Sequence, residues 1–309
     1  MEISVVLPTW NNARQLAVTL QELLACRVPA GASWELIVVN NAGTDDTDAV
    51  VDRFRGRLPL VYVKEPRPGV SLARNAGLRA ATGRLLVSAD DDIYPAAEWL
   101  TSYWDAYVRH PTGVYFGGPI VSVFERPDYD PALVAAAPRS IRGFSLAQAS
   151  GPTRHGHEFM GANWACPRDM LLELGGFDER LGQNPASGRV MTGEETELMG
   201  RLDRAGWTAY YVAEATVGHF VPAAKCRLQY IAARWGAVGE KRAMDIIGTP
   251  GFQRRPGVPV AARIELFANW ARWAARRARR QHGYAEYRQL CRSRRLVAVL
   301  QAEASRRKA

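Results

Sequence analysis

The sequence predicts an α/β protein with a mostly parallel sheet flanked by helices and a helical C-terminal extension. Three observations predict it. Strand and helix signals alternate through the first third of the 309 residues. The apolar run Leu85-Leu86-Val87-Ser88-Ala89 ends abruptly in Asp90-Asp91-Asp92. Beyond Val221 the chain turns basic and tryptophan-bearing, with helical spacing. Alternating strands and helices at such intervals imply βαβ units with right-handed connections.

The elements follow in order. Ile3–Leu7 is a β-branched run stopped by Pro8-Thr9-Trp10-Asn11-Asn12, and Leu16, Leu20, Leu23 and Leu24 then recur at helical spacing. Trp34–Val39 reads as a second strand. Thr44 or Asp45 is expected to cap the next helix, which would turn Ala49, Val50 and Phe54 to the sheet. Leu60–Val63 gives a third strand, and a helix over Ser71–Ala81 is expected to stop at Gly83. Strand Arg84–Ala89 then reaches the three acids. After a helical Trp99–Val108, Gly113–Phe124 reads as a strand or hairpin around Gly117-Gly118-Pro119. Residues 125–158 show no clear period and read as a long surface loop. Met160–Pro167 is extended, Arg168–Leu174 a short helix, Glu194–Gly206 a helix with Leu198, Met199 and Leu202 on one side, and Trp207–Val212 a strand.

Nearly half the residues are hydrophobic, so the chain can bury a sizeable core. No apolar segment is long enough to cross a bilayer, and no secretory leader is recognisable, so the expectation is a cytoplasmic protein. Cys26, Cys166, Cys226 and Cys291 lack CxxC spacing, which suits reduced cysteines rather than a zinc site or disulfide frame. The net charge of +9 is unevenly placed. Residues 225–309 hold 20 basic and 5 acidic side chains, leaving 20 basic and 26 acidic in residues 1–224. A mildly acidic body thus carries a strongly basic tail, as a chain with a polyanionic partner would.

Carboxylates delivered at the end of a buried strand can hold a hard divalent cation, Mg²⁺ or Mn²⁺, beside substrate phosphates. In open α/β sheets ligands bind beyond the carboxyl ends of the strands. Four motifs, the acids among them, line up in order: Val5-Val6-Leu7-Pro8-Thr9-Trp10-Asn11-Asn12; Gly69-Val70-Ser71-Leu72-Ala73-Arg74-Asn75-Ala76-Gly77; Asp90–Asp92; and Gly161-Ala162-Asn163 with Gly175-Gly176-Phe177-Asp178-Glu179 and Gly193-Glu194-Glu195-Thr196-Glu197-Leu198. This order resembles family 2 glycosyltransferases of the GT-A fold over roughly residues 3–222.

The resemblance implies a Rossmann-like, mixed and mostly parallel GT-A sheet. It implies residues 1–112 as the nucleotide-sugar half, 113–222 as the acceptor half and 223–309 as a basic helical extension. The implied activity is that of an inverting hexosyl- or deoxyhexosyltransferase using a UDP-, TDP- or GDP-sugar. The implied acceptor is a glycan, a lipid-linked molecule or a small molecule. Asp92 is then expected on the metal and Asp90 on metal and nucleotide, with Asp91 at the ribose. Pro8 and Thr9 are expected to line the base pocket through backbone groups, and Arg74 to lie near base or phosphate, with a plain salt bridge as the alternative. Glu195, or else Glu194, is expected as the general base, although the family usually has Glu-Asp here. Asn40 stands where the family usually places an Asp that reads uracil. Asn163 falls in the segment beneath the donor sugar, with a core turn as the alternative. Asp178 falls beside the acceptor site, where its acid can also simply hold the turn. His219 is a candidate third metal ligand, while His155 and His157 read as a solvated loop.

In the tail, Ile264, Leu266, Phe267, Trp270, Trp273 and Ala274 share one helical arc. Arg272, Arg276, Arg279 and Arg280 lie opposite, with Arg263 and Arg277 as exceptions. Such a helix over 263–280 suits an anionic membrane surface, or else packs its apolar arc on the body. No zinc-finger, helix-turn-helix or RNP-like motif points to nucleic acid. A noncatalytic nucleotide-sugar or glycan binder on the same fold is the alternative function.

Overall fold

The computed structural model describes residues 1–184, 192–248, 258–279 and 283–306. Two units are built from this chain. The first comprises Met1–Val123, Gly143–Arg189 and Glu194–Phe220; the second comprises Phe124–Arg142, Val190–Gly193 and Val221–Ala309. Residues 124–142 thus group with the C-terminal segment that begins at Val221.

The first unit is a mixed sheet of eight strands. In chain order its N-terminal half runs β1 (Ile3–Thr9), α1 (Ala13–Leu23), β2 (Trp34–Asn41), α2 (Thr47–Phe54), β3 (Leu60–Glu65), α3 (Val70–Ala80), β4 (Leu85–Ala89), β5 (Ile93–Pro95) and α4 (Trp99–Arg109). β1 lies parallel between β2 and β4, and β2 pairs parallel with β3. Every residue of β1 and β4 is buried, as continuous apolar runs covered on both faces should be. The later elements are β6 (Val114–Gly117), β7 (Ile120–Phe124), α5 (Pro131–Ala135), α6 (Arg139–Arg142), β8 (Gly151–Thr153), β9 (Asn163–Pro167), α7 (Arg168–Glu173), α8 (Glu194–Arg204), β10 (Thr208–Tyr211) and β11 (Val217–Val221). The sheet order is β3-β2-β1-β4-β9-β6-β10-β8, while β5, β11 and β7 form a separate three-stranded sheet. β9 runs antiparallel to both β4 and β6.

Several expectations are corrected. Gly113–Phe124 is not a hairpin: β6 belongs to the large sheet and β7 to the small one. Residues 125–158 contain α5, α6 and β8, and Leu133 and Ile141 are buried. Ala49 is exposed, and α2 instead buries Thr47, Val50, Val51 and Phe54. The cap of α2 is Asp46, while Asp45 accepts from the Thr47 backbone N–H at 3.2 Å. Gly83 is not a left-handed helix stop. α3 ends as Ala81 becomes extended, and Gly83 is small because a Cβ there would strike the Ser4 backbone.

In the second unit, α9 (Leu228–Gly248), α10 (Val258–Ala278) and α11 (Tyr284–Arg306) realise the expected helical extension. Leu133, Ala137, Ile141, Val221, Ile231 and Cys291 form its core. No helix among the described residues is long and apolar enough to cross a membrane. All four cysteines are free.

Candidate active site

The site is assembled from the carboxyl ends of β1 and β4, from α3, and from the later elements β9, α8 and β11. β4 ends at Ala89, so the sheet delivers Asp90, Asp91 and Asp92 at its rim, as ligand-binding crevices of α/β sheets require. The turn that follows β4 separates their roles. Thr9 Oγ1 donates to Asp91 Oδ2 at 2.5 Å and Asn12 Nδ2 to Asp91 Oδ1 at 2.8 Å, tying this carboxylate to the end of β1. Burial and the neighbouring Asp92 charge push Asp91 up to about 7, against the pull of those two donors.

Asp90 and Asp92 meet His219 instead. β11 pairs antiparallel with β5, placing His219 opposite Ile93, one residue past Asp92. His219 Nε2 lies 3.2 Å from Asp92 Oδ1. One ligand atom from each of Asp90, Asp92 and His219 falls within 4.8 Å of the others. Two carboxylate oxygens and an imidazole nitrogen, with Asp92 only 9% and His219 only 7% exposed, fit a divalent cation by the chemistry of the donor set. His155 and His157 lie apart from this group, both beside Glu158 in an exposed turn.

Arg74 joins the acids to the glutamate pair. Gly77 lets α3 lie close on β1, since a Cβ there would run into Val6, and Arg74 sits one turn earlier on the same helix. Its Nη2 donates to Asp90 Oδ1 at 3.2 Å; its Nη1 donates to Glu194 Oε1 at 2.9 Å and Glu195 Oε1 at 3.0 Å. Burial alone would push this guanidinium down, but the charges of Glu195, Glu194 and Asp90 outweigh it and hold it charged. Burial raises Glu194 to about 7, with the Glu195 charge adding and Arg74 opposing. Burial likewise pushes Asp90 up against Arg74. Gly161 closes the cluster, because a Cβ there would collide with Arg74 Nη2 and Glu195 Oε1.

Other expected residues serve the frame. Asn163 is fully buried, and its Oδ1 accepts from Trp99 Nε1 and Tyr103 OH, both at 2.8 Å. Its Nδ2 donates to the carbonyls of Pro119 and Ala215 at 2.9 and 2.7 Å. Both lone pairs and both N–H groups are spent inside the protein, which corrects the donor-sugar reading in favour of the core alternative. Asp178 accepts from Arg180 Nη2 at 2.7 Å and from the Arg180 backbone, holding the turn. Pro8 pairs with Val39 in the β1–β2 register, one residue before Thr9 meets Asn40. Asn40 Oδ1 accepts from Gly43 N at 2.9 Å and its Nδ2 donates to Tyr62 OH at 2.9 Å, so this side chain closes the loop after β2.

Sequence reasoning gave no role to Asn12, Asn75 or Gly161 individually. Asn75 exchanges hydrogen bonds with the Phe177 backbone at 2.8 and 2.9 Å, fastening the Gly-Gly-Phe-Asp turn to α3. The signal was available in Arg74-Asn75, a polar pair within an otherwise apolar helix face. Only the fold shows that the two point at different partners.

Comparison with known proteins agrees with this geometry. The solved mannosyltransferase PcManGT of Pyrobaculum calidifontis, in complex with GDP-Man and Mn²⁺, superposes with a TM-score of 0.60 at 22% identity, covering 98% of this chain and 87% of that one. The chain is 25% identical over 258 residues to the glucosyl-dolichyl phosphate glucuronosyltransferase of Haloferax volcanii, covering 80% of this chain and 78% of the relative. It is 31% identical over 228 residues to the succinoglycan biosynthesis protein ExoM of Rhizobium meliloti, covering 71% and 67%. Residues 4–175, more than half of the chain, match the glycosyl transferase family 2 profile. With its GT-A sheet and its acids at the end of β4, the chain belongs to glycosyl transferase family 2, whose members are inverting enzymes that transfer sugars from nucleotide-sugar donors.

Proposed function

We propose that this enzyme moves a hexosyl or deoxyhexosyl group from a UDP-, TDP- or GDP-sugar to an acceptor hydroxyl in one displacement, with Glu195 as the base. The observation that carries the reading is the Arg74 bridge. One guanidinium touches Asp90 on one side and both glutamates on the other, so the groups suited to the leaving diphosphate and to the acceptor proton belong to one cluster. In the step, the acceptor oxygen bonds to the anomeric carbon as the bond from that carbon to the diphosphate oxygen breaks. The hydroxyl proton passes to Glu195, and the electron pair leaves with the nucleoside diphosphate. Glu195 is favoured over Glu194 because its side chain is 17% exposed against 8%, leaving it open to an acceptor.

Asp90, Asp92 and His219 would hold Mg²⁺ or Mn²⁺, and the imidazole nitrogen favours Mn²⁺. When bound, such a cation neutralises charge on the departing diphosphate as a Lewis acid. Solved neighbours support the donor class: PcManGT holds GDP-Man and Mn²⁺, and GalNAc-T7 holds UDP, GalNAc and Mn²⁺. The Haloferax relative acts on a glucosyl-dolichyl phosphate, which supports a lipid-linked acceptor among the candidates.

The test is donor binding and turnover, with acceptor candidates present, across UDP-, TDP- and GDP-sugars in Mn²⁺, Mg²⁺ or EDTA. Turnover of one nucleotide class is expected, lost in EDTA and in Asp92→Ala. Glu195→Gln should keep donor binding and lose transfer by roughly a hundredfold to ten-thousandfold. Undiminished turnover in Asp92→Ala would remove the metal assignment. Donor binding without transfer to any acceptor would favour the noncatalytic binder.

A further inference from the structure

Helix α10 in the second unit is built the wrong way round for a helix that only packs on its neighbours. Its most buried described residue is the polar Asn269, 1% exposed, whose Nδ2 donates to the Glu265 carbonyl at 2.8 Å. Glu265 in turn accepts from Arg292 Nε of α11 at 2.6 Å. The large apolar side chains lie outside: Ile264 is 64% exposed, Phe267 69% and Trp270 56%. Spaced three residues apart, they form one stripe, and the rings of Phe267 and Trp270 stand 6.3 Å apart. The apolar arc read from the sequence is therefore split. Leu266 and Trp273 are half-buried, while Ile264, Phe267 and Trp270 face outward. Arg280 lies outside the described residues.

A stripe of exposed aromatics costs solubility unless something covers it. The charge beside it identifies the cover. Ala268 and Ala275 lie between the apolar stripe and Arg272 and Arg279, both exposed, and the acid of α10, Glu265, is paired with Arg292 of α11. The segment 225–309 holds 20 basic against 5 acidic residues. Tryptophan and phenylalanine on one side, arginine on the other, and alanine between them match a helix lying in the plane of an anionic bilayer. The rings enter the interfacial layer and the guanidinium groups reach back to headgroup phosphates. A second copy of the chain suits the face less well, since its own stripe carries the same positive flank.

We propose that the outer face of α10, through Ile264, Phe267 and Trp270 with Arg272 and Arg279, docks on an anionic phospholipid surface. This goes beyond the transfer reaction and is read without donor or acceptor. The experiment is sedimentation of the full chain with phosphatidylcholine vesicles, with and without phosphatidylglycerol, over a salt series. Circular dichroism and donor turnover in solution serve as fold controls. Binding is expected only with phosphatidylglycerol and should weaken with salt. Phe267→Ser with Trp270→Ser should weaken it about tenfold or more at every salt concentration. Arg272→Glu with Arg279→Glu should weaken it roughly thirtyfold at low salt and much less at high salt. Sedimentation unchanged by the aromatic pair, or absent in the wild type, would overturn the proposal. So would a solution dimer that the aromatic substitutions dissolve while vesicle binding is absent.

Discussion

Arg74 is surrounded by more negative charge than it can balance, and the consequences are felt at single atoms. Gly161 touches this arrangement without any chemistry of its own. A methyl group there must push aside Arg74 or Glu195, both of which end in movable groups, so the backbone need not shift. Gly161→Ala is therefore expected to leave the melting temperature within a few degrees and to lower kcat by about tenfold or more. Equal losses of stability and activity would show the residue to be a packing element only. The Glu194–Glu195 pair makes a second demand. Glu194 is raised from its ordinary 4.5 to about 7, so the folded protein holds an extra proton between those values. The stability it contributes is complete below about 4.5 and is lost as pH rises through 7. On the proposed mechanism activity runs the other way, because protonated Glu194 donates its hydrogen bond to Glu195, the carboxylate that must receive the acceptor's proton. We expect kcat/KM to rise with pH along an acid limb near 7, and Glu194→Gln to abolish that limb by removing the group that titrates there. A limb unmoved by that substitution would assign it elsewhere.

At the scale of elements, Asn163 does what no hydrophobic residue could do at the start of β9. It binds two side chains of α4 and two carbonyls, from the residue before β7 and from the approach to β11. Asn163→Leu removes four hydrogen bonds from a dry interior, although the Pro119 carbonyl still accepts from the Val217 N–H. It should destabilise the protein by about 3 kcal/mol or more, measured by denaturant unfolding. A loss below about 1 kcal/mol would mean that water replaces the amide. The same residue shows where the sequence stopped being legible. β1, β2 and β4 were readable because each is a short apolar run bounded by turn residues, and length, β-branching and those flanks identify such strands where period alone does not. The acids at 90–92 were readable because a buried strand must end somewhere, and three carboxylates mark the end. What β9 would pair with was not readable. Asn163 looked like a ligand contact because nothing local announces that Trp99, Tyr103, Pro119 and Ala215 converge on it. The split of residues 113–124 between two sheets escaped for the same reason, since strand partners are chosen by distant chain. In α10 the wheel located the apolar residues correctly, but which of them face outward depends on α11.

Across the whole molecule, the charge division visible in the sequence coincides broadly with the division into units. Every member of the Asp90, Asp92, His219, Arg74, Glu194 and Glu195 cluster falls in the first unit, and the basic helices fall in the second. An isoelectric point near 9.6 thus describes neither part. Because the second unit also recruits residues 124–142, the chain leaves the first unit and returns to it, so the two are not joined by a single linker that could be cut.

The order of the site's parts along the chain carries a consequence for the timing of synthesis. β1 to β4 complete their mutual pairings within residues 3–89 of the chain. Arg74 lies within that stretch, and Asp90, Asp91 and Asp92 follow it at once. Glu194, Glu195 and His219 are translated about a hundred residues later, and only the pairing of β11 with β5 brings the histidine to the acids. On the proposed mechanism, a ribosome that has made the whole parallel half has made the acids with neither base nor imidazole, and the unfinished chain is expected to transfer no sugar until His219 has emerged.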